Sequence, residues 1–169
     1  MQHDSNPPQA AVGSYTDVGT RTDVGTHTDV GNHAGVVSRT TLTVRGYHLD
    51  GYGHVNNARY LGWVQDTVLA HWQKLAPAEE VASKAWVALK HEITYRRPAF
   101  LHDAVIAETV LEKIAGARSF YNTVIRRGEE VLAEVQSMWC CLDSETHRPA
   151  RISRHVAETF FGMPAKAKT

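Results

Sequence analysis

The chain has 169 residues, enough for one domain with tails to spare, and its 43% apolar and 21% charged content is that of an ordinary globular protein. Lysine plus arginine balances aspartate plus glutamate, 18 against 18, so no global field draws in nucleic acid or an anionic membrane surface. No run reaches the roughly 18 apolar residues of a membrane span, and the start Met1-Gln2-His3-Asp4 has neither the basic nor the apolar character of a signal peptide.

Residues 1–37 differ from the rest. Three hexapeptides follow one another from Thr16 to His33, each opening Thr-Asp-Val-Gly. One valine per repeat gives too little apolar surface to offset the entropy of ordering, so a disordered leader is expected. A calcium-binding repeat is a poorer fit, because each unit offers a single carboxylate. Residues 38–169 are expected to form the domain.

Thr40 to Arg45 is β-branched and reads as a strand. A loop with two glycines follows, from Tyr47 to Val55. A long helix is predicted from Asn57 to Leu75, with Leu61, Val64, Val68, Trp72 and Leu75 on one face. Tyr60, Trp63 and Leu69 widen that face, which predicts a helix buried on most sides; Pro77 closes it.

The remainder reads as strands. From Trp86 to Arg96, Val87, Leu89, His91, Ile93 and Tyr95 alternate with the residues between them, and Pro98 ends the run. Strands follow at 103–114, 117–127 and 131–142, with Gly116 and Gly128 at the turns. A short helix is predicted near 153–161, with Ser153 as its N-cap. Strands joined by tight turns pair antiparallel. The predicted architecture is therefore α+β: an antiparallel sheet of about five strands wrapped around one long central helix. The two cysteines, Cys140 and Cys141, are adjacent and cannot staple distant segments, which argues for a reducing, cytoplasmic setting.

The chemistry concentrates in Asp50-Gly51-Tyr52-Gly53-His54-Val55-Asn56-Asn57. It places a carboxylate in a glycine-hinged loop seven residues before a helix start. The glycines let backbone approach a ligand and take positive φ. The helix start offers unpaired N–H groups and the positive end of its dipole, which suit a polarised carbonyl oxygen. A carboxylate beside that oxygen attacks the carbonyl or activates a water to do so. These are the needs of thioester hydrolysis, and no metal is among them. Taken singly, each residue has a plainer role. Asp50 before a glycine is a turn former, His54 caps the loop rather than orienting water or thioester, and Asn56 or Asn57 is an N-cap.

The segment resembles the 4-hydroxybenzoyl-CoA thioesterase and acyl-CoA thioesterase branch of the hotdog superfamily, over roughly residues 40 to 155. The shared pattern is Asp-x-x-Gly-x-Val-x-x-x-x-Tyr-Leu, met by Asp50, Gly53, Val55, Tyr60 and Leu61. His54-Val55-Asn56-Asn57 is similar to the variant shared with acyl-carrier-protein thioesterases. Ile93 to Ala99 resembles the family's strand ending in Tyr-x-x-Pro-Ala, and Arg118-Ser119-Phe120 its basic-Ser-aromatic strand start.

The resemblance implies a hotdog fold and hydrolysis of an acyl-CoA thioester, with coenzyme A entering only as part of the substrate. It makes Asp50 the catalytic carboxylate, with His54 beside it, and puts the oxyanion-binding N–H at Asn57. It assigns Gly53, Asn56 and Tyr60 to substrate, and Arg118 and Ser119 to the nucleotide of coenzyme A. It also implies a homodimer or homotetramer with shared sites. Many relatives carry Glu at the position of Gln65, with Asp66 following here instead, and others carry His where Asn57 stands. An acyl-carrier-protein thioesterase is the alternative within the enzyme class. A non-catalytic acyl-CoA-binding protein is the alternative outside it, disfavoured because a pure binder gains nothing from a carboxylate beside a thioester.

Overall fold

The computed structural model describes residues 35–162, together with the backbone of 21–25. Its sheet is antiparallel, in the order β1-β2-β4-β5-β6-β3. The strands are β1 (Arg21–Gly25), β2 (Val37–Thr43), β3 (Lys84–Tyr95), β4 (Ala104–Ala115), β5 (Arg118–Arg127) and β6 (Glu130–Asp143). The helices are α1 (Asn57–Leu75), α2 (Ala78–Ser83) and α3 (Arg154–Phe160), and a 3₁₀ turn spans Gly46–His48. Among the described residues, no helix is long and apolar enough to cross a membrane.

The expected helix and strands appear with ends shifted by a few residues, as does the hotdog arrangement of a sheet around one long helix. Most of the repeat segment lies outside the described residues. Within the leader expected to be without order, Arg21–Gly25 runs along β2, with Arg21 opposite Thr41 and Gly25 opposite Val37. Backbone pairing at a sheet edge needs no apolar content, which is why composition gave no sign of it.

Helix α1 packs a single seam onto the sheet: Tyr60, Trp63, Val64, Thr67, Val68, His71 and Trp72, at alternating spacings of three and one. The seam keeps Val64, Val68 and Trp72 of the expected stripe with Tyr60 and Trp63 beside them, whereas Leu61, Leu69 and Leu75 are only partly buried. The helix is not buried on most sides, because Gly62, Gln65, Asp66, Gln73 and Lys74 face outward. Sequence periodicity counted its aromatic residues correctly but passed over Thr67 and His71, polar residues on the buried face. Thr67 satisfies its hydroxyl on the Trp63 carbonyl at 2.8 Å, a back-bond that a helix tolerates.

Opposite the seam lie Val105, Ala107 and Leu111 of β4, Tyr121 and Ile125 of β5, and Val135 and Trp139 of β6, all essentially inaccessible to solvent. Each large side chain buried there contributes roughly 1.5–3 kcal/mol. Helix α3 closes the end of the core. Phe160 stacks on Trp72 at 5.6 Å between ring centroids, and its carbonyl accepts the Val36 N–H at 2.8 Å.

Strand β3 departs from the expected alternation. A bulge between Ala88 and Lys90 slips its register against β6, and one inserted residue reverses the faces on either side. Trp86 and Ala88 therefore share the helix-facing side with His91, Ile93 and Tyr95, while Val87 and Leu89 are 45% and 48% exposed.

Candidate active site

The chain leaves β2, makes its 3₁₀ turn, and enters a narrow loop that doubles back to the start of α1. His48 and Asn56 close its base, with the Asn56 N–H donating to the His48 carbonyl at 2.9 Å. Leu49 and Val55 pair above them, and the Asp50 N–H donates to the His54 carbonyl at 2.8 Å. The Val55 N–H donates to the Ala99 carbonyl at 2.9 Å, which pins the loop to the segment after β3. At the tip Gly53 takes φ +79°, the left-handed conformation that glycine supplies at no steric cost. The expected second positive φ, at Gly51, is absent.

The Asp50 carboxylate accepts the Tyr52 N–H at 2.8 Å and the His54 N–H at 3.2 Å, both on Oδ1. Its orientation is thus set by backbone, and the hydrogen bonds given to it leave Oδ2 free to act. Asp50 is therefore a turn former and a cleft residue at once. It lines a cleft of about 220 Å³ with His54, Val55, Asn57, Tyr60, Tyr95 and the Arg96-Arg97-Pro98 segment.

At the helix start, Asn56 is the N-cap and takes the Ala58 N–H on its Oδ1 at 2.9 Å. The Arg59 N–H goes to the Asn56 carbonyl at 2.9 Å. The Asn57 N–H stands between these two, and no hydrogen bond among the described residues uses it. Orphan N–H groups at a helix start are polarised donors for an oxyanion.

Of the residues expected at the site, Asp50, His54, Asn57 and Tyr60 come together around this cleft. Asn56 serves as the cap and Gly53 as the turn, and neither lines it. Arg118 and Ser119 are not brought to it. They stand at the opposite end of the sheet, Arg118 exposed and opposite Cys140, Ser119 fully buried and opposite Trp139. Gln65 and Asp66 are exposed on α1 and do not line the cleft.

Tyr95 is the cleft residue that sequence reasoning missed. Its hydroxyl donates to the Asn57 carbonyl at 2.9 Å, which fastens the end of β3 to the first residue of α1. Its ring meets that of Tyr60 edge-on at 5.3 Å. Burial pushes both phenols above their ordinary range, so both remain neutral donors at working pH. The Tyr-x-x-Pro pattern held the signal, but only the fold brings β3 to α1. His54 lies edge-on to Phe100 at 5.4 Å. Arg96 is paired with Glu134 at 2.7 Å, and Arg97 approaches Glu130 at 3.7 Å.

The family model of the thioesterase-like superfamily matches residues 44–160. The long-chain acyl-CoA thioesterase FadM of Escherichia coli (strain K12) is 32% identical over 127 residues, 71% of this chain and 94% of that protein. The crystal structure of YbaW, a probable thioesterase from Escherichia coli, superposes with a TM-score of 0.62 at 32% identity, covering 74% of this chain and 97% of that one. A thioesterase from Thermus thermophilus, complexed with coenzyme A and Zn, has a TM-score of 0.63 at 24% identity over 72% of this chain and 95% of its own, a likeness of fold. With its carboxylate-bearing loop against a helix start, on a sheet wrapped around one helix, the chain belongs to the thioesterase-like superfamily and is a thioester hydrolase of the hotdog fold.

Proposed function

We propose that the protein hydrolyses acyl-CoA thioesters, with Asp50 as the base or nucleophile and the N-terminus of α1 as the oxyanion site. One observation carries the proposal: Asp50, whose Oδ2 is outside its loop hydrogen bonds, and Asn57, whose N–H is unused among the described residues, line the same cleft. A thioester carbonyl placed between them has its oxygen on the helix start, where negative charge develops, and its carbon within reach of Oδ2 or of a water held by it. His54, in the same wall, orients that water or the thioester. The thiolate leaves toward solvent, and the reading asks for no cofactor beyond the coenzyme A of the substrate. The name of the FadM relative supports an acyl-CoA rather than a carrier-protein substrate.

We further propose a homodimer or homotetramer with shared sites. Strand β3 ends the sheet with its outer edge unpaired among the described residues and with Val87 and Leu89 exposed. Pairing that edge with a second copy about a two-fold axis satisfies it. In such a pair the Tyr95 end of one β3 lies beside the Lys84 end of the other. Arg118 is opposite Cys140, and Cys140 is opposite Val87, so the partner's Arg118 is carried toward the cleft. Such a pairing supports the reading of Arg118 as a nucleotide ligand that serves the partner's cleft rather than its own. Free Cys140 and Cys141 support a reducing, cytoplasmic setting. We take residues 38–169 as the catalytic domain, to which the leader adds the edge pairing of Arg21–Gly25 and, among the described residues, no part of the cleft.

The test is Asp50→Asn, assayed by thiol release across a panel of acyl-CoAs. Turnover is expected to fall by about two to four orders of magnitude. The melting temperature should hold, because Asn makes the same loop bonds. Near-normal turnover in this variant would remove Asp50 from the mechanism.

A further inference from the structure

The loop that carries Asp50 is held at its base by a buried histidine that no step of the proposed chemistry uses. His48 is 8% exposed. Its Nδ1 accepts the Arg45 N–H at 3.0 Å, while its backbone N–H donates to the Arg45 carbonyl at 2.9 Å, so the two residues close the 3₁₀ turn reciprocally. Its carbonyl takes the N–H of Asn56, the cap of α1, at 2.9 Å. Its ring lies edge-on to Trp63 of α1 at 5.5 Å and to Tyr47 at 4.3 Å. One residue thus ties the end of β2, the root of the Asp50 loop and the first turns of α1.

We propose that His48 is a positioning residue for thioester hydrolysis: as the neutral imidazole accepting at Nδ1 it holds Asp50 and the Asn57 N–H in register, and its protonation releases them. This rests on the reading of the cleft given above. An imidazolium carries a hydrogen on both nitrogens, so it cannot accept from Arg45 and would face that N–H donor to donor. The charges acting on the ring are the guanidiniums of Arg45 and of Arg59 on α1, which oppose a third positive charge. Tyr47, also titratable, meets the ring edge-on. Burial first, then Arg59 and Arg45, hold the imidazole below its usual range. The working form is thus kept at neutral pH and lost in acid.

Two variants separate positioning from space-filling. Asn places its Oδ1 the same number of bonds from Cα as Nδ1 of histidine, so His48→Asn restores the acceptor but leaves a gap against Trp63. His48→Gln fills that gap better and cannot offer the acceptor at the same place. Positioning therefore predicts that His48→Asn retains much more turnover than His48→Gln, whose kcat falls by about tenfold to a hundredfold with little change in KM. It also predicts that the acid limb of kcat, to which His48 contributes in the wild type, moves to lower pH in His48→Asn. Backbone amides of Arg45 and Asn56 should exchange faster in the Gln than in the Asn variant. Equal or better turnover in His48→Gln, or an unchanged acid limb in His48→Asn, would overturn the proposal. If the wild-type protein releases no thiol from any acyl-CoA, it is the reading of the cleft that fails, and the exchange rates then decide the role of His48 alone.

Discussion

The two ends of the sheet are held together by different means. At the cleft end, polar groups are tied to one another: Asp50 to two loop amides, Asn56 to Ala58, Tyr95 to Asn57, and His48 to Arg45. At the other end, the buried side-chain atoms His71 Nε2, Trp72 Nε1, Trp86 Nε1, His91 Nδ1 and Ser119 Oγ have no partner among the described residues. There, rings pack on rings. Trp72 meets Trp86 at 5.1 Å, His71 meets Phe160 at 5.1 Å, and His91 meets Trp139 at 5.6 Å. Hydrogen bonds fix direction, which chemistry needs; aromatic contacts supply buried area, which stability needs. Changes at one end should therefore register mainly in turnover, and changes at the other mainly in stability.

The largest effect expected from this contrast, after Asp50→Asn, is at His71. Its Nδ1 meets the Ser38 hydroxyl at 2.7 Å, and burial lowers its pKa from 6.5 to about 4. The unfolded chain protonates this imidazole below about 6.5 while the folded chain waits until about 4, so stability is lost as pH falls through that window and no further below it. The loss is about 3 kcal/mol. Urea unfolding between pH 7 and 4 should show a shallower dependence in His71→Met than in the wild type. Parallel curves would mean that His71 does not carry the acid sensitivity, and the contrast between the two ends would weaken.

Arg118→Ala probes the far end for the nucleotide-binding duty proposed for Arg118. Turnover at saturation should stay near normal while KM for acyl-CoA rises by about tenfold, the loss of a contact to a phosphate. An unchanged KM would leave Arg118 as a solvated strand end and the cleft complete within one chain. Smallest is Tyr95→Phe, which removes one hydrogen bond to the helix start. Stability should fall by about 1 kcal/mol, and turnover by a few fold. A loss confined to the melting temperature would show that the hydroxyl braces the fold without aligning Asn57.

Much of this was readable in advance, and the misses have physical causes. Helix α1 announced itself by periodicity, an Asn at its start and Pro77 after its end, and these are local signals. The Asp50 loop was readable because its glycines and its carboxylate lie within a few residues of one another. The bulge in β3 was not, since the slip at Leu89 leaves no mark on an alternation read through it. His71 was passed over because a polar residue on a helix counts against burial until Ser38 is seen beside it. Tyr95 was marked by its Tyr-x-x-Pro pattern, but its place in the cleft depends on a bond across 38 residues of sequence, which a local pattern does not reveal. Arg118 and Ser119 were placed by resemblance alone, and in the single chain both stand away from the cleft, Ser119 fully buried.

The bulge in β3 has a consequence for the chain as a single copy. By reversing the faces, it turns Val87 and Leu89 outward beside an unpaired row of backbone groups. Such a strand is a template for any other extended chain, wanted or not. Lys90 and Glu92 follow at once and join in an ion pair at 3.0 Å, charges that discourage indiscriminate stacking. In the pairing proposed above, the same few residues offer an edge to one companion and repel a crowd. If the pair proposed above forms, the lifetime of the folded protein depends on its own concentration, with dilution shifting chains from the paired state toward the sticky one.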